Sequence, residues 1–156
     1  MAGINSRAKG ARQERRIAKI LGEYWGCKGT RVPLSGGWAK DRATGDVILD
    51  DQWPFSIEIK HYKTVDWLAV LSSDKCDLAS FLQQAVNDAA RMGKIPMLIA
   101  RENAKKEFVF IPHESVRARW LETGVRNWAV YSLGGVQWMV FTLEAFLSVP
   151  KEVWLE

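Results

Sequence analysis

The sequence predicts a single α/β domain, and three observations predict it. A helical pattern from about Leu78 to Met92 passes through Gly93 into the apolar run IPMLIA (95–100) with almost no loop, the alternation that builds α/β folds. Two shorter apolar runs, Val47 to Leu49 and Phe55 to Ile59, flank the polar, proline-containing DDQWP, the punctuation of a hairpin. At 156 residues, with 47% apolar and 26% charged residues, the chain can bury one proper core and has the composition of an ordered protein.

Taken in order, the first element is a helix from about Arg7 to Trp25, capped by Asn5 or Ser6, with Ile17, Ile20, Leu21 and Tyr24 at helical spacing and Gly26 ending it. A short strand about Thr30 to Val32 follows, then a loop containing Ser35, Gly36 and Gly37, then the central hairpin. The segment from His61 to Lys75 carries few signals and reads as a mobile loop or broken helix. The second helix shows an apolar stripe of Leu78, Phe81, Leu82, Ala85, Ala89 and Met92. Strands are expected at 95–100 and at Glu107 to Ile111, then a short helix near Arg117 to Leu121. A hairpin of Trp128 to Leu133 and Val136 to Phe141 precedes a last short helix, Leu143 to Leu147. The uncharged stretch containing that hairpin falls short of the roughly 20 residues a bilayer span needs, and Gly134 and Gly135 divide it. One domain over residues 1–156 is expected, with a core at about 6–112 and an extension at about 113–156.

Charge is uneven. Up to Arg42 there are ten Lys or Arg against three acids, a surplus of seven, whereas the remainder has twelve against fifteen. A concentrated basic patch points to a polyanion, nucleic acid first and a membrane surface second. The two cysteines, Cys27 and Cys76, have no metal-ligand spacing and suit a reducing compartment, and MAGINSRAKG has no apolar run of the secretory kind.

The chemistry concentrates in GDVILDDQWPFSIEIK (45–60). Alternation puts Ser56, Glu58 and Lys60 on one strand face and Phe55, Ile57 and Ile59 on the other, although Glu and Lys are poor strand formers. Folding the hairpin brings Asp46 opposite the Glu58 to Lys60 end, so two carboxylates and an ammonium converge, an arrangement that suits a divalent cation beside a phosphate. The alternative is that Glu58 and Lys60 are solvated charges blunting an exposed sheet edge. Glu14 lies near the azimuth of Leu21 and so is aimed inward, where a carboxylate needs a cation. Arg15 or Lys19 could answer it in a structural role. Arg7, Lys9, Arg12, Arg16 and Lys19 spread over the other helix faces, available to phosphates or water. Ser35, with Gly36, Gly37 and Arg31, could serve a phosphate or simply form a turn. Gln84 borders the second apolar stripe, in reach of DNA, an attacking water or solvent. His61 and His113 stand alone.

The ordered set SRAKGARQERRIAKILG, RVPLSGG, GDVILD, SIEIK and GKIPMLIA resembles the PD-(D/E)XK nuclease superfamily, and more closely archaeal-type Holliday junction resolvases, to which some phage-encoded enzymes are similar. The resemblance implies an αβββαβ core with a central mixed sheet flanked by helices, the tail hairpin and helix being additions. It implies catalytic roles for Glu14, Asp46, Glu58 and Lys60, with Mg²⁺, or Mn²⁺ in its place, held by Asp46, Glu58, the Ile59 carbonyl and Glu14. Arg15, Arg31 and Ser35 then match supporting positions beside DNA, along with Arg7, Lys9, Arg12, Arg16 and Gln84. The expected protein is a homodimer acting on branched double-stranded DNA in the cytoplasm of a prokaryotic cell or phage-infected host, with no membrane partner. Trp128, Tyr131, Trp138 and Phe141, on both faces of the tail hairpin, would supply the dimer surface, unless both faces are covered within the chain, by the C-terminal helix on one side. Another type of PD-(D/E)XK nuclease and a non-catalytic nucleic-acid-binding module are the competing readings. The doubled acid Asp50-Asp51 and the stretch after about Val116 depart from the resolvase pattern.

Overall fold

The computed structural model of the protein describes residues 2–32, 45–64, 66–73, 75–116, 120 and 123–155, without the side chains of residues 2–7 and 67. The loop holding Ser35, Gly36 and Gly37, the Arg7 side chain and most of the expected helix at 117–121 lie outside the described residues. The chain runs α1 (Ala2–Trp25), β1 (Thr30–Arg31), β2 (Val47–Ile48), β3 (Phe55–Tyr62), α2 (Trp67–Ser72), α3 (Asp77–Met92), β4 (Ile95–Glu102), β5 (Glu107–Pro112), β6 (Ala129–Leu133), β7 (Val136–Thr142) and α4 (Leu143–Ser148). The strands form one seven-stranded sheet in the order β1-β2-β3-β4-β5-β7-β6. Only β3 and β4 pair in parallel, Phe55 opposite Ile95 through Tyr62 opposite Glu102, with α3 in the crossover between them. This is the mixed, helix-flanked sheet that the sequence predicts.

Period-two alternation sorts the core onto two sheet faces. On β4, Met97 and Ile99 join Ile17, Leu21, Ile57, Ile59 and Phe146 beneath α1 and α4, while Leu98 and Ala100 join Val70, Leu78 and Leu82 beneath α2 and α3. The parallel strands are therefore buried on both faces, which is why IPMLIA reads as a continuous apolar run. Caps end the helices where the sequence places them. Asp66 accepts from the Ala69 N–H at 3.0 Å to start α2, Thr142 accepts from the Ala145 N–H at 3.1 Å to start α4, and Gly93 closes α3 at φ +63.

Four expectations are corrected. Helix α1 begins at Ala2, so Asn5 and Ser6 lie inside it; AGINSR contains no proline, and Gly3 costs only about 1 kcal/mol relative to alanine. Strand β3 continues through His61 and Tyr62, carried by its parallel partner to Glu102, and a capped six-residue helix, α2, occupies much of the segment read as a loop or broken helix. Met92 is exposed at the frayed end of the α3 stripe. Trp138 and Phe141 are buried on opposite sides of β7, one against the α2 and α3 cluster and the other against the α1 and α4 cluster, so these two rings are covered within the chain. Among the described residues no helix is long and apolar enough to cross a membrane.

Candidate active site

Three short pieces of sequence build the site. Gly45 sits at φ +89, and a Cβ there would lie 2.7 Å from the Ile57 carbonyl oxygen, so only glycine lets the chain pass this close to β3. The next residue is Asp46. Its N–H donates to the Ile57 carbonyl at 2.7 Å, and its own carbonyl accepts from the Val32 N–H at 2.9 Å, which stitches it between β1 and β3. Its Oδ2 then accepts from the Ile59 N–H at 2.6 Å, turning the carboxylate toward the middle of β3. At the far end of the hairpin, Asp50 Oδ1 accepts from the Gln52 and Trp53 N–H groups, each at 3.1 Å, and from Trp25 Nε1 at 2.7 Å. The acid at the start of the doubled pair therefore fastens the turn to α1.

Glu58 follows from the same hairpin. It is only 4% exposed and lies on the third strand of seven, which excludes its reading as a solvated edge charge. Lys60 Nζ lies 2.9 Å from Glu58 Oε1 and 4.8 Å from the centre of the Phe81 ring on α3, so the ammonium sits between a carboxylate and an aromatic face. Glu14 is 8% exposed, as its inward azimuth requires. Its partner is neither Arg15 nor Lys19, both exposed, but Arg31, whose Nε donates to Glu14 Oε2 across from β1.

The electrostatics record a concentration of negative charge. Burial first, and then the neighbouring Glu58 charge, push the Asp46 carboxyl from its ordinary 3.8 up to about 7, against the opposing Ile59 hydrogen bond. Burial likewise raises Glu58, offset in part by Lys60 and reinforced by Asp88 of α3 and Glu14. Two desolvated carboxylates held together against mutual repulsion, each with one oxygen committed to Ile59 N–H or to Lys60, are residues that could hold a divalent cation through hard oxygen ligands. Among the described residues no three His, Cys, Asp or Glu side chains group closely enough to enclose a metal. Two carboxylates fit the way Mg²⁺ is bound in phosphoryl-transfer sites, where water and substrate complete the shell.

The remaining predicted residues are dispersed. Arg12 and Arg15 project to solvent from α1, and Gln84 projects to solvent from α3. Lys9 Nζ donates to Asn103 Oδ1 at 2.6 Å, and Arg16 Nη1 is committed to Glu107. Sequence reasoning missed this second polar centre altogether. Glu107, at the start of β5, also accepts from Gln13 Nε2 at 3.2 Å and lies 3.8 Å from Arg101 Nη1. Gln13 and Arg16 lie more than 90 residues away in sequence, so only the inward azimuth of Gln13, one residue before Glu14, offered a signal for them, whereas Arg101 faces Glu107 directly across the β4–β5 pair.

Residues 5–156 match the family described as "Phage putative PDDEXK endonuclease", a span that includes the tail beyond Val116 for which the resolvase pattern has no counterpart. No curated protein and no solved structure matches the chain. With Asp46, Glu58 and Lys60 gathered on one mixed sheet and nearly the whole chain matched, the protein belongs to the phage PD-(D/E)XK endonuclease family.

Proposed function

We propose that the protein is a divalent-metal-dependent DNA endonuclease, of cytoplasmic location, that resolves four-way junctions by paired nicks made by a homodimer. The observation that carries the reading is the pair of buried carboxylates, Asp46 and Glu58, with Lys60 at 2.9 Å from the second. Asp46 and Glu58, with the Ile59 carbonyl, would hold Mg²⁺ or Mn²⁺, and Glu14, itself fixed by Arg31, would order the surrounding water. A divalent cation bound there supplies Lewis acidity to water and to the scissile phosphate. Lys60 donates hydrogen bonds that align a water with phosphorus. The water oxygen bonds to phosphorus as the bond to the 3′ oxygen breaks, the departing oxygen takes up a proton, and the products are a 5′ phosphate and a 3′ hydroxyl.

Binding is assigned to the exposed cations of α1, Arg12 and Arg15 first, with Arg7, Lys9, Arg16, Arg31, Ser35 and Gln84 as further candidates for phosphate contact. Such contacts go to phosphates and carry no base preference. A second reading, an endonuclease acting on linear duplex DNA, is favoured by the burial of Trp138 and Phe141 within the chain, which removes two of the four aromatics offered as a dimer surface. Cleavage of a four-way junction beside its component duplexes in Mg²⁺ tests both. We expect junction-selective cutting that is lost in Asp46→Asn and Glu58→Gln while DNA binding persists. Equal cutting of both substrates selects the linear-duplex reading, and normal turnover by the two variants removes the site.

A further inference from the structure

We propose that strand β6 is the seam of a two-fold dimer, pairing antiparallel with β6 of a second copy of this chain. The two edges of the sheet are unlike. At one lies β1, two residues long and basic at Arg31, a short edge of the kind that resists further pairing. At the other lies β6, Ala129–Leu133, whose AVYSL sequence has no charge and no proline, and which pairs with β7 on one side and with no described strand on the other. Nothing in this strand blunts the edge.

Exposed apolar groups flank the same edge on both sides of the sheet. Trp128 and Val130 are 42% and 43% exposed, two residues apart, and so share one face. On the opposite face Tyr131 Oη donates to the Val70 carbonyl at 2.9 Å, fastening α2 to β6. Val70 points into the core, while Leu68 and Leu71, three residues apart on one side of α2, are 75% and 78% exposed. An uncharged open edge with apolar flanks requires cover. A second copy fits it best, because an antiparallel pair of identical strands is self-complementary about a two-fold axis normal to the sheet, which keeps Trp128 and Val130 of both copies on one face of the joined sheet, flanking the seam.

The inference deepens the two-site reading above and rests on it only for its consequence. A two-fold axis normal to the sheet keeps both carboxylate faces on the same side. Strand β3 is the fourth neighbour inward from β6, so at about 4.8 Å per strand the two β3 strands stand roughly 40 Å apart along the joined sheet.

The test is sedimentation velocity on the full chain, wild type against Trp128→Glu with Val130→Glu, exposed positions where monomer folding is checked by circular dichroism. We expect a wild-type dimer and a variant at least about 30-fold weaker in self-association, the scale of an interface hot spot. The monomeric variant should still nick single strands of a junction but lose coupled cuts. A monomeric wild type at about 100 μM overturns the seam, as does a variant that remains dimeric while Leu68→Glu with Leu71→Glu dissociates. Dissociation as expected with no cutting by either form keeps the seam and removes the nuclease reading.

Discussion

The raised Asp46 carboxyl makes a stability prediction that a structural role for this residue does not share. Its rise from 3.8 to about 7 means that holding it ionised in the folded chain costs up to about 4 kcal/mol relative to the unfolded chain. Asp46→Asn removes the charge but keeps a carbonyl oxygen for the Ile59 N–H, losing part of a charge-assisted hydrogen bond, so the net gain should be about 1–3 kcal/mol. For a domain of this size that is a rise in Tm of about 2–10 °C. Because the folded pKa lies above the unfolded one, wild type and variant should differ least near pH 4, where the folded carboxyl is protonated and the unfolded one is only about half ionised. The variant should pull ahead as the pH rises toward 7 and hold a constant lead above it. The assay is thermal melting in EDTA at pH 4, 5.5, 7 and 8.5, repeated with Mg²⁺, which should stabilise wild type and not the variant. A variant that melts below wild type at pH 8.5, or an offset that ignores pH, refutes the reasoning and makes Asp46 a packing residue.

Two further predictions follow from the polar groups outside the carboxylate pair. Burial pushes Glu107 up, but hydrogen bonds from Arg16, from its own backbone N–H and from Gln13 outweigh it and leave the carboxyl below its ordinary 4.5. Its contribution is therefore present above that value and lost on acidification, so Glu107→Gln should cost about 1–2 kcal/mol at pH 7, Arg16 being half exposed, with the gap in denaturant midpoints closing below pH 4. Neutralising Arg12 and Arg15 together should weaken DNA binding and flatten its dependence on salt by up to about two counterions, read from the slope of log affinity against log salt; an unchanged slope would move the binding surface off α1.

What could be read in the sequence follows the range over which each residue's partner lies. Asp46, Glu58 and Lys60 sit within fifteen residues of one another, so strand alternation and one turn place them together without knowledge of the sheet. Glu14 was legible as inward from helical azimuth alone. Arg31 as its partner was not, because that pairing depends on how β1 crosses α1. The same holds more strongly for Gln13 and Arg16, which reach Glu107 from α1, whereas Arg101 meets it through the pairing of consecutive strands β4 and β5. Trp138 and Phe141 show the limit in another form. Alternation predicts two apolar faces on β7, but α4 helps cover Phe141 on one, and the cover of Trp138 on the other draws on α2, a helix too short to announce itself except through Asp66, its cap.

The position of Lys60 ties these observations to chemistry. In the folded chain its ammonium is held by Glu58 Oε1 on one side and the Phe81 ring on the other, and the second contact is the weaker and less directional. Glu58 is buried near Asp46, and Lys60 offsets part of the cost of its charge. Were Asp46 and Glu58 to hold a divalent cation, as proposed above, Glu58 would depend less on Lys60, and the Phe81 ring would still hold the ammonium at the site. Lysine suits this place better than arginine, whose planar fork would remain locked on the carboxylate. In the proposed mechanism Lys60, which partners Glu58 in the free protein, would then be placed to donate to an incoming water or phosphate oxygen through side-chain rotation.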